Sequence, residues 1–523
     1  MQETPFEAST VGSMPPANLS DGLDRLFIPL VFGVALFAAE TVLRVGVGLS
    51  MVAVVALSYA VALWYLSRRP GGLQRTGWAL PAAIALLTAC YGLFNNPVLQ
   101  FLNFPLLVGL VGLHLTALTG NRLYPRASAG TLVDALNAVV VLPLVNIPAP
   151  FTVLGHRMKA GQHKEYLPVI YGLAIGLPLL LIVGLLLVNA DALLSQVAKN
   201  LFANFHWSEH FGFVIASLVV TVPLFGLLYA LRHGRVNNTL SPARKTQVAD
   251  ARLFATAMAL VNAAYLLFIL VQFGYLFGAF RSLLPVGFTY ADYARRGFGE
   301  LVVVIVLNLI VLGLSMVLSS REGTGRRFLT VMETALVALT LLLCASELAK
   351  MALYMEAYGL TQLRVYVTWF IVLCAVFFVA LGIRLYRPSF QLLRFCAAVF
   401  VGWYLALNLA DMDARIAQYN VAAYQRGQTS EIDIETLYNL SDSAIPYLAV
   451  LLDDQNADVA NNVRAALSAG AGIRTQTQWE TATLARWRGQ ATLAQRNIEY
   501  TPNEDWSFID PDEDGTNSEV EGD

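Results

Sequence analysis

Long apolar stretches alternate with short polar segments from about residue 26 to residue 410. A helix needs about 20 consecutive apolar residues to cross a hydrocarbon core of about 30 Å. The stretches are continuously apolar, which predicts helices, because the strands of a membrane barrel would alternate in polarity at every second residue. The eleven expected spans are 26–43, 46–66, 78–94, 99–119, 167–188, 211–231, 253–277, 299–318, 329–349, 365–384 and 395–410. The pattern therefore predicts an all-α fold, a polytopic transmembrane helical bundle.

Basic residues are concentrated in alternate gaps between these stretches. If the N-terminus lies inside, the inner segments hold 20 Lys and Arg residues and the outer loops hold 7. Lys and Arg favour the cytoplasmic side of short loops. The bias predicts a cytoplasmic N-terminus and, after eleven crossings, an extracytoplasmic segment after residue 410.

Residues 131–154 form one more apolar stretch, which carries Asp134, Asn137 and Asn146. If this stretch crossed the bilayer, every later loop would change sides. The distribution would then be 12 basic residues inside and 15 outside, and the bias would vanish. We therefore expect 131–166 to be a cytoplasmic interfacial segment that lies on the membrane or half-enters it.

The composition separates the membrane body from its C-terminal part. The chain is 57% hydrophobic and 13% charged, and residues 411–523 hold 20 acidic and 7 basic residues. Helical spacing of apolar positions predicts a helical extracytoplasmic domain over 411–498. Residues 1–24 and the acidic tail 499–523 are polar and are expected to be disordered. The basic residues are spread over many loops, so no nucleic-acid partner is expected.

Few residues have the spacing of a catalytic or metal site. The four cysteines lie inside expected spans, none in a C-x-x-C pair, and are predicted to be packing residues. The segment His206-Trp-Ser-Glu-His210 has the H-x-x-E-H spacing, but no third ligand is obviously placed. Phosphate-binding and dinucleotide fingerprints are missing. We expect no catalytic residue, no metal and no cofactor.

Polar residues at the outer ends of two spans form the candidate site. Glu347, Lys350, Tyr354 and Tyr358 share one helix face, and Arg296 and Glu300 are four residues apart. The face on 347–358 is either an ion pair with aromatic neighbours that orients the helix at the interface or a face that binds a substrate or a partner. An anionic headgroup or a carboxylate of the outer domain would suit Arg296. The candidate outer-face cluster comprises Tyr290, Tyr293, Arg295, Arg296, Glu300, Glu347, Lys350, Tyr354, Tyr358 and Arg364.

Several segments at or near the expected outer face have a characteristic order and spacing. They are Val188–Asp191, Gln272–Gly278, Tyr290–Phe298, Leu353–Arg364 and Asp413–Asn420. Together they resemble a bacterial family of multi-span membrane proteins, the domain-of-unknown-function family 4173, which is related to family 4153. Lys350 stands where the family would have Arg. The resemblance implies a bacterial envelope protein and no particular reaction.

Three functions are compatible with this sequence. The first is a non-enzymatic scaffold or sensor in the bacterial plasma or inner membrane, whose partners are the lipid bilayer and an envelope protein or anionic lipid. The second is a secondary transporter of a small solute, in which Pro178 and Pro223 kink the fifth and sixth spans. The third is a membrane enzyme that acts on a lipid-linked substrate. We favour the first.

Overall fold

A computed structural model describes residues 22–123, 130–154, 209–234, 250–271, 298–319, 325–429, 431–475 and 478–499, with isolated helical positions between 172 and 196. These residues form helices and no β-strand, which confirms the all-α fold class. Within the described ranges, nine helices are long and apolar enough to cross a membrane.

The first half of the bundle holds α1 (Gly22–Ala38, continued by a π-helical turn at Ala39–Val45), α2 (Leu49–Leu66), α3 (Ala79–Leu93), α4 (Pro97–Leu118), the short helices α5 (Gly130–Leu136), α6 (Leu142–Val145) and α7 (Ala149–Leu154), and α8 (Glu209–His233). The second half holds α9 (Ala251–Val271), α10 (Phe298–Leu318), α11 (Arg326–Tyr358), α12 (Gln362–Tyr386) and α13 (Leu392–Leu409). Ten of the eleven expected spans coincide with a helix, although α3 is short. The span expected at 167–188 lies almost entirely outside the described residues.

Each half of the bundle has its own apolar core. Phe27, Leu142 and Phe225 lie in the core of the first half, and Leu312, Leu336 and Phe378 lie in the core of the second. Helix α13 joins the halves, because it packs against both α3 and α12. Its Tyr404 lies in a third apolar cluster with residues of α2, α3 and α4.

Polar side chains inside the bundle link neighbouring helices. Asn103 of α4 donates to Asn408 of α13 at 2.7 Å, and the Tyr404 hydroxyl donates to Asn103 at 2.7 Å. In the second half, Asn308 of α10 donates to Thr340 of α11 at 2.9 Å. A polar group in hydrocarbon is costly unless it finds such a partner. These residues therefore tie helices together.

The segment 130–154 enters the bundle as a broken helix. A π-helical turn at Asn137–Val141 separates α5 from α6, and α7 follows after a tight turn. Ala138 packs against Gly112 of α4, and the carbonyl oxygen of Asn146 approaches Gly226 of α8. The apolar part, Val133–Val145, is about 20 Å long at 1.5 Å per residue, which is less than a bilayer core of about 30 Å.

The C-terminal domain is helical and has a compact apolar core. It contains α14 (Met412–Gln425), α15 (Ile434–Tyr438), α16 (Ile445–Leu448) between two 3₁₀ turns, α17 (Ala457–Thr475) and α18 (Leu484–Gln495). Its buried core includes Ile416, Leu448, Val463 and Leu493. Asp411, at a left-handed φ of 48°, makes the sharp turn between α13 and α14.

The two ends of the bundle have different neighbours. At one end, the Leu49 amide donates to the Ala482 carbonyl of the C-terminal domain at 3.1 Å. At the other end, Asp24 of α1 contacts Arg232 of α8, and Asn121 donates to the Leu231 carbonyl at 2.8 Å. The start of α1 and the C-terminal domain therefore lie at opposite ends of the bundle.

The close approach of the broken segment to α8 predicts different effects at two glycines. A Cβ at Gly226 would lie 2.9 Å from the Asn146 oxygen and 3.1 Å from the Pro143 oxygen, whereas a Cβ at Gly212 would meet nothing within 4 Å. Gly226→Ala should destabilise the protein by about 1–3 kcal/mol through overpacking. Gly212→Ala, the matched control, should be neutral or stabilise it by up to about 1 kcal/mol. Thermal unfolding in one detergent compares them, and equal shifts would contradict the described packing.

Candidate functional site

Glu347 and Lys350 form an ion pair inside the second half of the bundle. Both lie on α11, and Lys350 Nζ donates to Glu347 Oε1 at 2.7 Å. Their exposed fractions are 0% and 1%. Gly359 ends the helix with a φ of 73°, so the pair lies about three helical turns before this end.

Only one oxygen of the Glu347 carboxylate is engaged. Glu347 Oε2 is buried and has no hydrogen-bond partner within the described part of the chain. A buried carboxylate oxygen without a donor is costly. The pairing with Lys350 therefore does not fully satisfy this carboxylate.

Aromatic residues continue from the ion pair towards the end of α11. Tyr354 is buried, and its ring lies 5.4 Å from the ring of Tyr358 in an edge-to-face arrangement. The Arg364 guanidinium lies 4.0 Å from the centre of the Tyr354 ring and donates to the carbonyls of Tyr358 and Gly359 at 2.9 and 2.7 Å. Arg364 thus caps the C-terminal end of α11 and places its charge over an aromatic face.

The candidate outer-face cluster is only partly assembled in the described residues. Glu347, Lys350, Tyr354 and Tyr358 lie on one face of α11, and Arg364 contacts Tyr354 and the end of this helix. Glu300 lies in the first turn of α10 with an exposed side chain, and no hydrogen bond or ion pair joins it to another described residue. The remaining four residues, Tyr290, Tyr293, Arg295 and Arg296, lie outside the described residues, as does His206.

A second polar centre joins the domain to the bundle through Asp413. This buried carboxylate accepts hydrogen bonds from Asn96 at 2.9 Å, from Gln362 at 2.8 Å and from the Ser441 amide at 3.1 Å. The donors come from the start of α4, the start of α12 and the domain itself. Within the described residues no Lys or Arg pairs with Asp413, and the donors of its hydrogen bonds are all neutral.

Two further contacts surround this centre. Asn420 of α14 accepts from the Leu360 amide at 2.7 Å and donates to its carbonyl at 2.8 Å. The carboxylate of Asp442 accepts from the Asn95 side chain at 2.7 Å and pairs with Arg486 at 3.0 Å. The domain therefore contacts the loops before α4 and α12 with both backbone and side-chain groups.

Asp411, next to this centre, is more basic than an ordinary aspartate. Burial raises the pKa of its carboxyl, and the backbone amide of Ala414, which donates to it at 3.5 Å, opposes this rise. Its side chain caps the first turn of α14.

A third polar centre lies at the opposite end of the bundle. Asp24 is fully buried and accepts from the Tyr65 hydroxyl at 2.7 Å. It pairs with Arg232 at 2.9 Å and with His233 at 3.0 Å. Phe27 stacks on Tyr65 with a centroid distance of 3.7 Å. The sequence predicts disorder for residues 1–24, but α1 already begins at Gly22. The helix includes Asp24 because the side chain of Asp24 takes part in this network.

The sequence indicated the first centre and missed the other two. The three-residue spacing within one helix made Glu347 and Lys350 visible. Asp24 and Arg232 are 208 positions apart, and each resembled an ordinary residue at the end of a span. Asp413 lay in a segment noted for its family resemblance, but its partners Asn96 and Gln362 are neutral and distant in sequence.

The buried ion pair on α11 predicts a large difference between a single and a double variant. Lys350→Met leaves the Glu347 carboxylate buried and unpaired, which should cost about 3–5 kcal/mol. Adding Glu347→Gln should restore much of this loss. Thermal unfolding of both variants in one detergent measures the effect.

The exposed pair Arg496–Asp453, at 2.7 Å, supplies the control. Arg496→Met should cost less than about 1 kcal/mol. Additive losses in the Lys350 and Glu347 variants would show that the two side chains do not stabilise one another.

Comparisons with known proteins identify a family. The family model described as "Domain of unknown function (DUF4153)" matches residues 81–451. This range covers more than half of the chain and includes most of α3, all of α4 to α13, the Glu347–Lys350 pair and Asp413. No curated protein and no solved structure matches. The resemblance of the sequence to family 4173 is not shown by this match, which is to the related family 4153. The chain is an integral membrane protein with multiple apolar helices, and it belongs to the family of the domain of unknown function 4153.

Proposed function

We propose that this protein is a non-enzymatic scaffold or sensor of the bacterial cell envelope, which holds a helical domain at the outer face of the plasma or inner membrane. The observation that carries the proposal is the Asp413 centre. One buried carboxylate gathers donors from α4, α12 and the domain. The domain is therefore fixed to the ends of the spans and is not attached by a flexible linker.

The contacts of the domain agree with the orientation expected from the basic residues. The loops before α2, α4 and α12 belong to the side with few Lys and Arg residues, and all three contact the domain. Because positive charge favours the cytoplasm, this side is the extracytoplasmic one. Residues 131–166 then belong to the cytoplasmic side.

The packing of the bundle favours a rigid scaffold over a transporter of polar solutes. Asn262, which could line a polar path, donates to the Met332 carbonyl at 2.9 Å, and Asn308 is bonded to Thr340. Pro223 lines a space that is almost entirely apolar. The outer-face cluster, with Tyr358 48% exposed at its end, is the proposed surface for an anionic lipid or an envelope protein.

Removal of the central carboxylate should loosen the domain from the bundle. Asp413→Ala leaves the Ser441 amide without its acceptor, and the side-chain nitrogen of Asn96 keeps only its bond to Tyr366, at about 1–3 kcal/mol for each group that loses a bond. The exposed residue Asp458 supplies the matched control Asp458→Ala. In reconstituted protein, protease should cut Asp413→Ala at 409–412, the junction between α13 and the domain, much faster than the control. Equal cleavage rates would contradict the proposed clamp.

The orientation is testable with fusions after residue 411 in a bacterial host. Alkaline phosphatase, which is active only outside the cytoplasm, should be active there, and a cytoplasm-dependent fluorescent protein should be dark. A fusion at residue 235, after α8, should give the opposite pair of signals. A fluorescent, phosphatase-negative fusion after 411 would rule out the outer location of the domain.

A further inference from the structure

An elongated cavity lies inside the first half of the bundle. It has a volume of about 530 Å³ and lies between α1, α2, α4 and α8, with Val139 and Pro143 of the broken segment on one side. The lining runs from Met51 to Ala62 on α2, which is about 17 Å at 1.5 Å per residue. This length is close to the thickness of one leaflet, about 15 Å, or half of a bilayer core.

The cavity wall is aliphatic and offers little to water. Alanines, valines and leucines form most of it. Two of its hydroxyl groups already have partners, because Tyr59 is bonded to His114 and Ser217 donates to the Phe213 carbonyl at 2.6 Å. Water needs two to four polar partners to occupy a cavity, so a space of this kind favours an apolar occupant.

Part of the cavity lining is exposed at the side of the bundle: Leu43, Phe104 and Val220 are 67%, 55% and 51% exposed. Leu43 and Phe104 lie in the half of the cavity nearer the C-terminal domain, and Val220 lies about midway along α8. Leu43 belongs to the π-helical turn that ends α1, and Phe104 lies two turns into α4. The space is thus continuous with the apolar outer surface of the bundle, where lipid chains lie.

Small side chains and an irregular helix create this space. Ala35, Ala38 and Ala39 face it from α1, and Ala216 faces it from α8. Pro223, which also lines the cavity, has no N–H group to continue the backbone hydrogen bonding of α8. An unfilled space loses the dispersion contacts that close packing supplies, so an occupant of matching shape is stabilised there.

We infer that this cavity binds one hydrocarbon chain of a membrane lipid, taken from the leaflet on the side of the C-terminal domain. The chain enters past Leu43 and Phe104 and ends near Ala62. Its apolar wall, its length and its lateral opening all match a single acyl chain. This site is separate from the outer-face cluster, and the inference does not rest on the proposed scaffold function.

The position of the site connects it to the domain. Just after the π-helical turn, a Cβ at Gly46 would lie 3.0 Å from a Thr481 methyl group, and the Leu49 amide bonds to Ala482. A chain beside Ala39 and Leu43 therefore lies one short turn away from a contact with the domain.

Photolabelling of the intact protein tests the inference. The protein is reconstituted into vesicles of dioleoylphosphatidylcholine that contain a small fraction of phosphatidylcholine with a diazirine in one acyl chain. After irradiation, the labelled residues are mapped by mass spectrometry. Adducts are expected on Ser58 and Ala62 of α2 and on Ala216 of α8, in addition to the outer surface.

Two variants fill the cavity, and one variant serves as the control. Ala38→Phe and Ala216→Phe place a ring in the cavity, while Ala264→Phe adds the same ring on the exposed face of α9. Adducts on α2 should fall about tenfold in the first two, as for binding weakened by about 1.4 kcal/mol. They should be unchanged in the third.

Two results would overturn the inference. One is a wild-type map in which adducts occur only on outward-facing residues such as Leu260 and Leu270, which are 71% and 72% exposed. The other is labelling of α2 that persists in both filled variants. The wild-type map decides the question even if a filled variant does not fold.

Discussion

The lack of water in a hydrocarbon core makes a polar group of this bundle costly unless it finds a partner within the protein. The backbone meets this demand by forming helices. The side chains meet it in small centres: Asp24 with Arg232 and His233, Glu347 with Lys350, and Asn103 with Asn408 and Tyr404. Two of these centres join different helices, and the Glu347–Lys350 pair lies within one helix. The partners of the polar residues therefore contribute to the arrangement of the spans.

The same requirement explains how the C-terminal helical domain is joined to the membrane bundle. Asp413 is buried where the domain meets the spans, and neutral donors from both parts surround it. Several N–H donors can satisfy a buried carboxylate where no cation is close. The Asn420 contacts with Leu360 add backbone hydrogen bonds to this interface. The domain thus continues the packing of the bundle, which suits the proposed scaffold.

Hydropathy and the distribution of basic residues could predict the helices and the separation of the two ends, because these depend on the local sequence. The Glu347–Lys350 pair was also predictable, since helical spacing places the two side chains together. The partners of Asp24 and Asp413 were not, because they come from distant helices and include neutral residues. The π-helical turn at Ala39–Val45 and the cavity that it borders could not be predicted either. They depend on how helices of similar composition pack, and a hydrophobic pattern does not specify the space between them.

Hydrogen exchange in the intact protein tests the central claim, that the domain and the spans form one packed unit. Three amides report on their interface: Leu49 donates to Ala482, Leu360 donates to Asn420, and Ser441 donates to Asp413. With the protein in lipid nanodiscs, these amides should exchange as slowly as those of Leu448 and Leu467 in the core of the domain. Rapid exchange at all three, with the core of the domain still protected, would show that the domain folds separately and is only tethered to the membrane.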